Sequence, residues 1–249
     1  MTLTVDALGH DDVDVWWLRV PEATVSPVGR DDLLLSAEER VRAAAFHRVE
    51  DQLLFETGRT VLRRLLGLYS SRDPHTIRID GAAGKKPHVT EPAAAAHIEF
   101  NLAHTPGLLI WAFALRRPVG VDAERVDRMQ RLEALPAGYF SEAEIARLAP
   151  THGQERHRRL SELWTLKEAL AKALGSGLTV DVSRFSFDIQ PDLSCRCDET
   201  GAFETAAWEF RLFRPTADHT AAVCAAARPG APARFRIHEI VPESSERNP

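Results

Sequence analysis

The sequence predicts an α+β protein made of two similar halves, each with helices packed on a small antiparallel sheet, the two related by pseudo-twofold symmetry. Three observations carry that prediction. Residues 35–67 and 140–175 share an apolar residue, a Ser-x-x-Glu box and a long amphipathic stretch that ends at a glycine. Short β-rich runs follow each copy, and no long Ser/Gly-rich linker separates the two. A helical unit followed by strands, used twice, is the signature of a duplicated α+β plan.

The opening segment, MTLTVDALGHDDVDVWWLRV, is acidic and lacks both a basic leader and an unbroken apolar core, so it reads as no signal peptide. Ser36 and Glu39 form the first box, in which the serine side chain accepts from a first-turn amide and the glutamate reaches back to the cap. The helix they start is expected to end at Gly67, a residue suited to a left-handed position after the last turn. TIRID, IEFNLAH and LLIWAFAL then read as strands, with TEPAAAAH, residues 90–97, as a loop. Arg117 and Pro118 mark the boundary, giving an N-terminal half of residues 1–117 and a C-terminal half of residues 118–249. VGVD opens the second half, and Ser141 and Glu144 form its box. A helix from about residue 155 to residue 174 ends at Gly175. SRFSFDI, AAWEFRLF and TAAVCAAA follow as strands, FRIHEIV is a final edge strand, and PESSERNP is a frayed tail.

Composition removes several function classes. A chain of 249 residues can bury a substantial core. Its formal charge of −5 argues against a basic groove for nucleic acid. No apolar run reaches the length of a membrane span. Cys195, Cys197 and Cys224 lack CxxC spacing and read as ordinary half-buried strand residues in a reduced, cytoplasmic protein.

The chemistry is concentrated in two stretches. In VGVDAERVD, Asp122 and Glu124 lie two apart on a strand and so point to one face. Adjacent carboxylates repel unless a positive charge sits between them, and a hard cation such as Mg²⁺ is the usual solution. Taken alone, the pair is better served by a solvated strand end or turn. In LWTLKEALAKAL, Leu163, Leu166, Leu170 and Leu174 form an apolar stripe, while Trp164, Glu168 and Lys172 follow on an adjoining face. An exposed Glu–Lys pair at this spacing is worth only about 0.2–0.5 kcal/mol, and the neighbouring tryptophan argues against full exposure. Lys167 points toward the leucine arc, so it must either snorkel or enter a packed polar site.

Together, VGVDAERVD and LWTLKEALAK resemble the paired signature of the 4′-phosphopantetheinyl transferases, and the length and two-half plan are similar to the larger, monomeric class acting on secondary-metabolism carriers. The resemblance extends upstream to GKKPHV and FNLAHTPGLLIWAF. It implies a cleft for coenzyme A between the halves, with its pyrophosphate held through Mg²⁺ by Asp122, Glu124 and Glu168. Lys172 matches the lysine that contacts the phosphates, Lys167 its neighbour, His104 a ligand of the 3′-phosphate, and Lys86 and Pro87 a pair beside the nucleotide. Glu168 is the candidate base and Lys172 its catalytic companion. The chain departs from the pattern at Ala103, where a serine is common, and at Leu54, where an arginine is common; Arg48 and Arg59 are the nearby candidates to replace it.

The implied reaction moves 4′-phosphopantetheine from coenzyme A to a serine of an acyl or peptidyl carrier protein, in polyketide or nonribosomal peptide biosynthesis. The implied partners are coenzyme A and the carrier, without nucleic acid or membrane. The carrier would dock near residues 156–160 (RHRRL), Tyr139 and Phe140. Two alternatives use the same residues differently: a metal-dependent hydrolase of a nucleotide pyrophosphate, and a non-catalytic module that binds coenzyme A or a carrier. GAAGKKP is no phosphate loop, because it lacks both the glycine spacing and the Ser or Thr after the lysine.

Overall fold

Alternation along the buried strands divides the protein into four layers: helix, sheet, sheet, helix. The computed structural model describes residues 3–20, 33–81, 86–132, 138–175, 181–197 and 208–242. The first half contains β1 (Asp12–Arg19), α1 (Ala37–Ala44), α2 (Val49–Ser70), β2 (Arg78–Asp80), β3 (His88–Glu91), β4 (Ile98–Thr105) and β5 (Leu108–Leu115). The second contains β6 (Val119–Arg125), α3 (Glu142–Leu148), α4 (Gly153–Leu174), β7 (Phe185–Asp188), β8 (Ser194–Cys197), β9 (Trp208–Thr216) and β10 (His219–Ala226), followed by β11 (Arg234–Ile240).

Strand β5 shows how the layers arise. Leu109, Trp111 and Phe113 face one core with Val61, Leu62 and Leu65 of α2. Leu108, Ile110, Ala112 and Ala114 face a second core with Val121 of β6 and Val223 of β10. On the far side of that second sheet, Ala222 and Cys224 meet Leu163, Leu166 and Leu170 of α4. Each buried large apolar side chain is worth roughly 1.5–3 kcal/mol, and both faces of both sheets are covered.

The sheets run β11-β1-β5-β4 and β6-β10-β9, with the hairpins β2-β3 and β7-β8 beside them. The order β1-α1-α2-β2-β3-β4-β5 recurs as β6-α3-α4-β7-β8-β9-β10. In each series the first strand pairs antiparallel with the last, and the last with the one before it. Both expected capping boxes form: Ser36 with Glu39 and Ser141 with Glu144.

Four features differ from the sequence expectation. Strand β1 was hidden by Asp12 and Asp14, which are only 1% exposed each. They lie in register with Arg234 and Arg236 of the parallel strand β11 and form ion pairs with them, so burial of the acids is compensated from a segment over 200 residues away. Tyr69 also donates to Asp14 at 2.6 Å. The long helix expected from Ser36 is two helices, with Arg48 in extended backbone between α1 and α2, whereas the helix expected over about residues 155–174 is α4. Gly67 is inside α2 rather than after it: a Cβ there would meet the Arg72 carbonyl oxygen at 2.8 Å, and Ser71 takes the left-handed position instead. Strands β3 and β8 are short additions. Gly175 does end α4 in left-handed backbone, and the three cysteines are free strand residues, with Cys224 buried. No helix among the described residues is long and apolar enough to cross a membrane. Gly84 and Lys85 of GAAGKKP and most of the C-terminal tail lie outside the described residues.

Candidate active site

The site begins with a missing side chain. A Cβ on Gly120 would lie 2.1 Å from the Ala169 carbonyl oxygen and 2.4 Å from the Ala173 nitrogen, so only glycine lets β6 and α4 approach this closely. Strand alternation then places Asp122 and Glu124 on the same face as Gly120, toward α4. The helical repeat carries Trp164, Glu168 and Lys172 along the facing side of α4.

Lys172 Nζ donates to Asp122 Oδ1 at 2.6 Å. The other Asp122 oxygen is buried and has no hydrogen-bond partner in the structure. Burial pushes the Asp122 carboxyl up to about 6 although the Lys172 ammonium pulls it down, and the charge of Glu168 adds to the rise. Burial, and then the Asp122 charge, push Glu124 up to about 7, with Glu168 again contributing. The three acids therefore stand in one another's fields, and the group is short of positive charge. Among the described residues, no three His, Cys, Asp or Glu side chains already converge as a metal-ligand set.

Tyr139 completes this face. Its hydroxyl donates to Glu168 Oε1 at 2.6 Å, and its ring stacks on Trp164 with centroids 4.2 Å apart. Burial raises the phenol well above its ordinary range, and the charges of Glu168, Asp122 and Glu124 raise it further, so it stays a donor. The sequence reading placed Tyr139 in a docking surface; a tyrosine two residues before a helix cap gives no sign of reaching an acid on the next long helix.

Lys167 does not join the cluster. It is fully buried, and its ammonium is taken by Glu144 at 2.9 Å and by the carbonyls of Val182 and Phe185. An ammonium has three donors, so none remains for a phosphate, and its assignment as a cofactor ligand is corrected to an internal brace. Glu144, read only as a capping residue, is its partner and also accepts from Phe187 N at 2.9 Å. Complete burial of Lys167 makes some such partner obligatory.

The first half contributes around the edge of β6. Lys86 donates to the Val119 carbonyl at 2.9 Å and to Glu99 at 3.3 Å, with Pro87 half-buried beside it. Asn101, a polar residue within an apolar strand that the sequence reading passed over, accepts from Val121 N at 2.9 Å. His104 projects from the end of β4 as an exposed residue. Local desolvation and then the Lys172 ammonium hold its imidazole below the usual range, which places it in the field of the site. Leu54 is buried in the α2 core and Ala103 between the sheets. Arg59 is bound to Glu39 at 3.2 Å, while Arg48 is largely exposed beside Glu50. In the RHRRL run, Arg156 donates to the Leu148 carbonyl at 2.8 Å, and Arg158 and Arg159 face Glu162 and Glu155.

The model of the 4′-phosphopantetheinyl transferase superfamily matches residues 118–224, which include β6, α4 and most of β10. The 4′-phosphopantetheinyl transferase HetI of Nostoc sp. is 29% identical over 170 residues, covering 68% of this chain and 70% of its own. The 4′-phosphopantetheinyl transferase pptA of Paxillus involutus is 31% identical over 185 residues, 68% of each chain. The 4′-phosphopantetheinyl transferase Sfp of Bacillus subtilis is 27% identical over 158 residues, 64% of this chain and 68% of its own.

Proposed function

We propose that this chain, which belongs to the 4′-phosphopantetheinyl transferase superfamily, transfers 4′-phosphopantetheine from coenzyme A to a serine hydroxyl of an acyl or peptidyl carrier protein. The observation that carries the reading is the facing of Asp122 and Glu124 of β6 toward Glu168 of α4, with one Asp122 oxygen buried and unpartnered and Lys172 on the other.

The donor set fits a hard divalent cation, since it offers oxygens only and lacks positive charge. Asp122, Glu124 and Glu168 would hold Mg²⁺, which when bound would neutralise the pyrophosphate of coenzyme A. Lys172 lies beside the same acids and would stabilise charge building on the departing phosphate. Glu168 would take the serine proton. The serine oxygen forms a bond to the phosphorus that carries the pantetheine arm, the bond from that phosphorus to the bridging oxygen breaks, and adenosine 3′,5′-bisphosphate leaves with the electron pair. His104, in the field of Lys172, is the first-half residue suited to the 3′-phosphate, and Lys86 with Pro87 would border the nucleotide while bracing β6.

The recurring element order supports a pseudo-twofold relation between an N-terminal half of residues 1–117 and a C-terminal half of residues 118–249, with the cleft at their junction. In this reading the enzyme works as a cytoplasmic monomer on carriers of secondary metabolism, which approach by the exposed side of α4. The test is the intact mass of an apo-carrier after incubation with the protein, coenzyme A and Mg²⁺. One added phosphopantetheine, abolished by EDTA, is the expected result. Coenzyme A consumed without a change in carrier mass overturns it.

A further inference from the structure

We infer that Tyr139 is a positioning residue for the transfer reaction: it holds Glu168 by one carboxylate oxygen and leaves the second to the site. The inference rests on the function proposed above. Its first support is geometric. The 2.6 Å bond from Tyr139 to Glu168 Oε1 is a short, charge-assisted contact. The phenol is held on two further sides, by the stacked Trp164 ring and by the edge of Phe140 at 5.2 Å between centroids. Phe140 is buried, and the next residue, Ser141, is pinned by its capping box and by a 3.0 Å contact with Ser186. The hydroxyl is thus aimed by rigid neighbours rather than by a free rotor, which is what orientation of a catalytic carboxylate requires.

The second support is the other half of the molecule. Tyr139 stands two residues before the cap Ser141, as Leu34 stands two before the cap Ser36. Trp164 and Thr60 are each the twelfth residue of their long helix, and Glu168 and Arg64 each the sixteenth. The same pair of positions touches in both halves: the Leu34 amide donates to Thr60 Oγ1 at 3.1 Å. In the half without the acids the joint is thus made by a leucine through its backbone amide. Only the half that carries the acids has a phenol there, with its oxygen on the catalytic glutamate.

The test is Tyr139→Phe, which keeps the ring stack and removes only the oxygen. Mn²⁺ is titrated into the wild-type protein, Tyr139→Phe and Glu168→Gln, each with saturating coenzyme A, and followed by electron paramagnetic resonance against a coenzyme A blank. Loss of a residue that orients a metal ligand costs about 10–100-fold in metal affinity or activity. Tyr139→Phe is expected to weaken Mn²⁺ about tenfold and to lower kcat by a similar factor, with KM for coenzyme A within about twofold at saturating metal. Trp164 fluorescence and the melting curve should stay as in the wild type, which separates positioning from loss of fold. Mn²⁺ binding that Glu168→Gln weakens and Tyr139→Phe leaves intact overturns the role of Tyr139 alone. No Mn²⁺ binding by the wild-type protein overturns both this role and the metal assignment beneath it.

Discussion

Helices α2 and α4 are both 22 residues long, and each follows a short helix opened by a Ser-x-x-Glu box. In each half the box glutamate binds a buried cation at the fifteenth position of the long helix: Arg63 to Glu39 at 2.8 Å and Lys167 to Glu144 at 2.9 Å. Both cations also donate to a carbonyl after the helix, Arg63 to Ile77 and Lys167 to Val182. The brace is common to the halves, so it belongs to the fold. The chemistry is not shared. Counted from the partner strands, Asp122 and Glu124 of β6 take the places that Trp16 and Leu18 fill in β1. The edges differ as well. Strand β11 seals the free edge of β1, whereas β6 has no strand paired along its outer edge among the described residues and receives there the Asn101 side chain and the Lys86 ammonium. The half whose first strand has a single paired neighbour among the described residues is the one that carries the acids.

The sharpest way to break that comparison is to exchange the test between halves. Asp122→Ala or Glu168→Ala should lower carrier modification on the order of 10³-fold while leaving circular dichroism unchanged. Arg64→Ala, at the position matching Glu168, should leave carrier modification of the folded protein within about twofold, because it lies in the half without the acids. Equal losses in both halves, read by carrier mass, would remove the distinction between fold and chemistry.

A smaller effect separates the braces. Lys167→Met strands a fully buried Glu144, and breaking a buried pair in this way costs about 3–5 kcal/mol. Adding Glu144→Gln should recover part of that loss, because the unpaired charge is gone while an acceptor for Phe187 N remains. Arg63→Met should cost less, since Glu39 keeps Arg59 at 3.2 Å. Urea melts give the ranking. In the folded fraction of Lys167→Met, KM for coenzyme A should stay within about twofold; a tenfold rise would return Lys167 to the substrate.

The smallest effect concerns the sealed edge. Burial alone would raise the Asp12 carboxyl, but the Gly9 amide and the Arg234 and Arg236 side chains outweigh it and hold it below the ordinary value of 3.8. A depressed acid contributes stability above its unfolded pKa and loses it as pH falls through the folded one. Asp12→Asn should therefore show a shallower fall in Tm below about pH 4 than the wild type. An unchanged slope would mean that the Asp12 pairs do not hold β11 in place.

Local pattern was enough for much of this protein. The capping boxes at Ser36 and Ser141, the run LLIWAFAL and the spacing of Trp164, Glu168 and Lys172 follow from short-range rules of helix and strand, and those rules act within a few residues. They also placed Asp122 and Glu124 on one face. What local pattern could not supply were pairings that cost or return free energy only when distant segments meet. Asp12 and Asp14 look incompatible with a buried strand until Arg234 and Arg236 lie beside them. Lys167 reads as a ligand by its neighbours in the chain, yet Glu144 and two carbonyls from other elements satisfy it inside the core. Gly67 resembles a helix end until the Arg72 carbonyl is seen against it. The sequence by itself determined the α+β plan, the recurrence of a boxed helix followed by strands, and the placing of Asp122 and Glu124 on one strand face. The tertiary structure decided which charges stand together between β6 and α4 and which are consumed in holding the fold, because a buried charge is tolerated only where the fold brings it a partner.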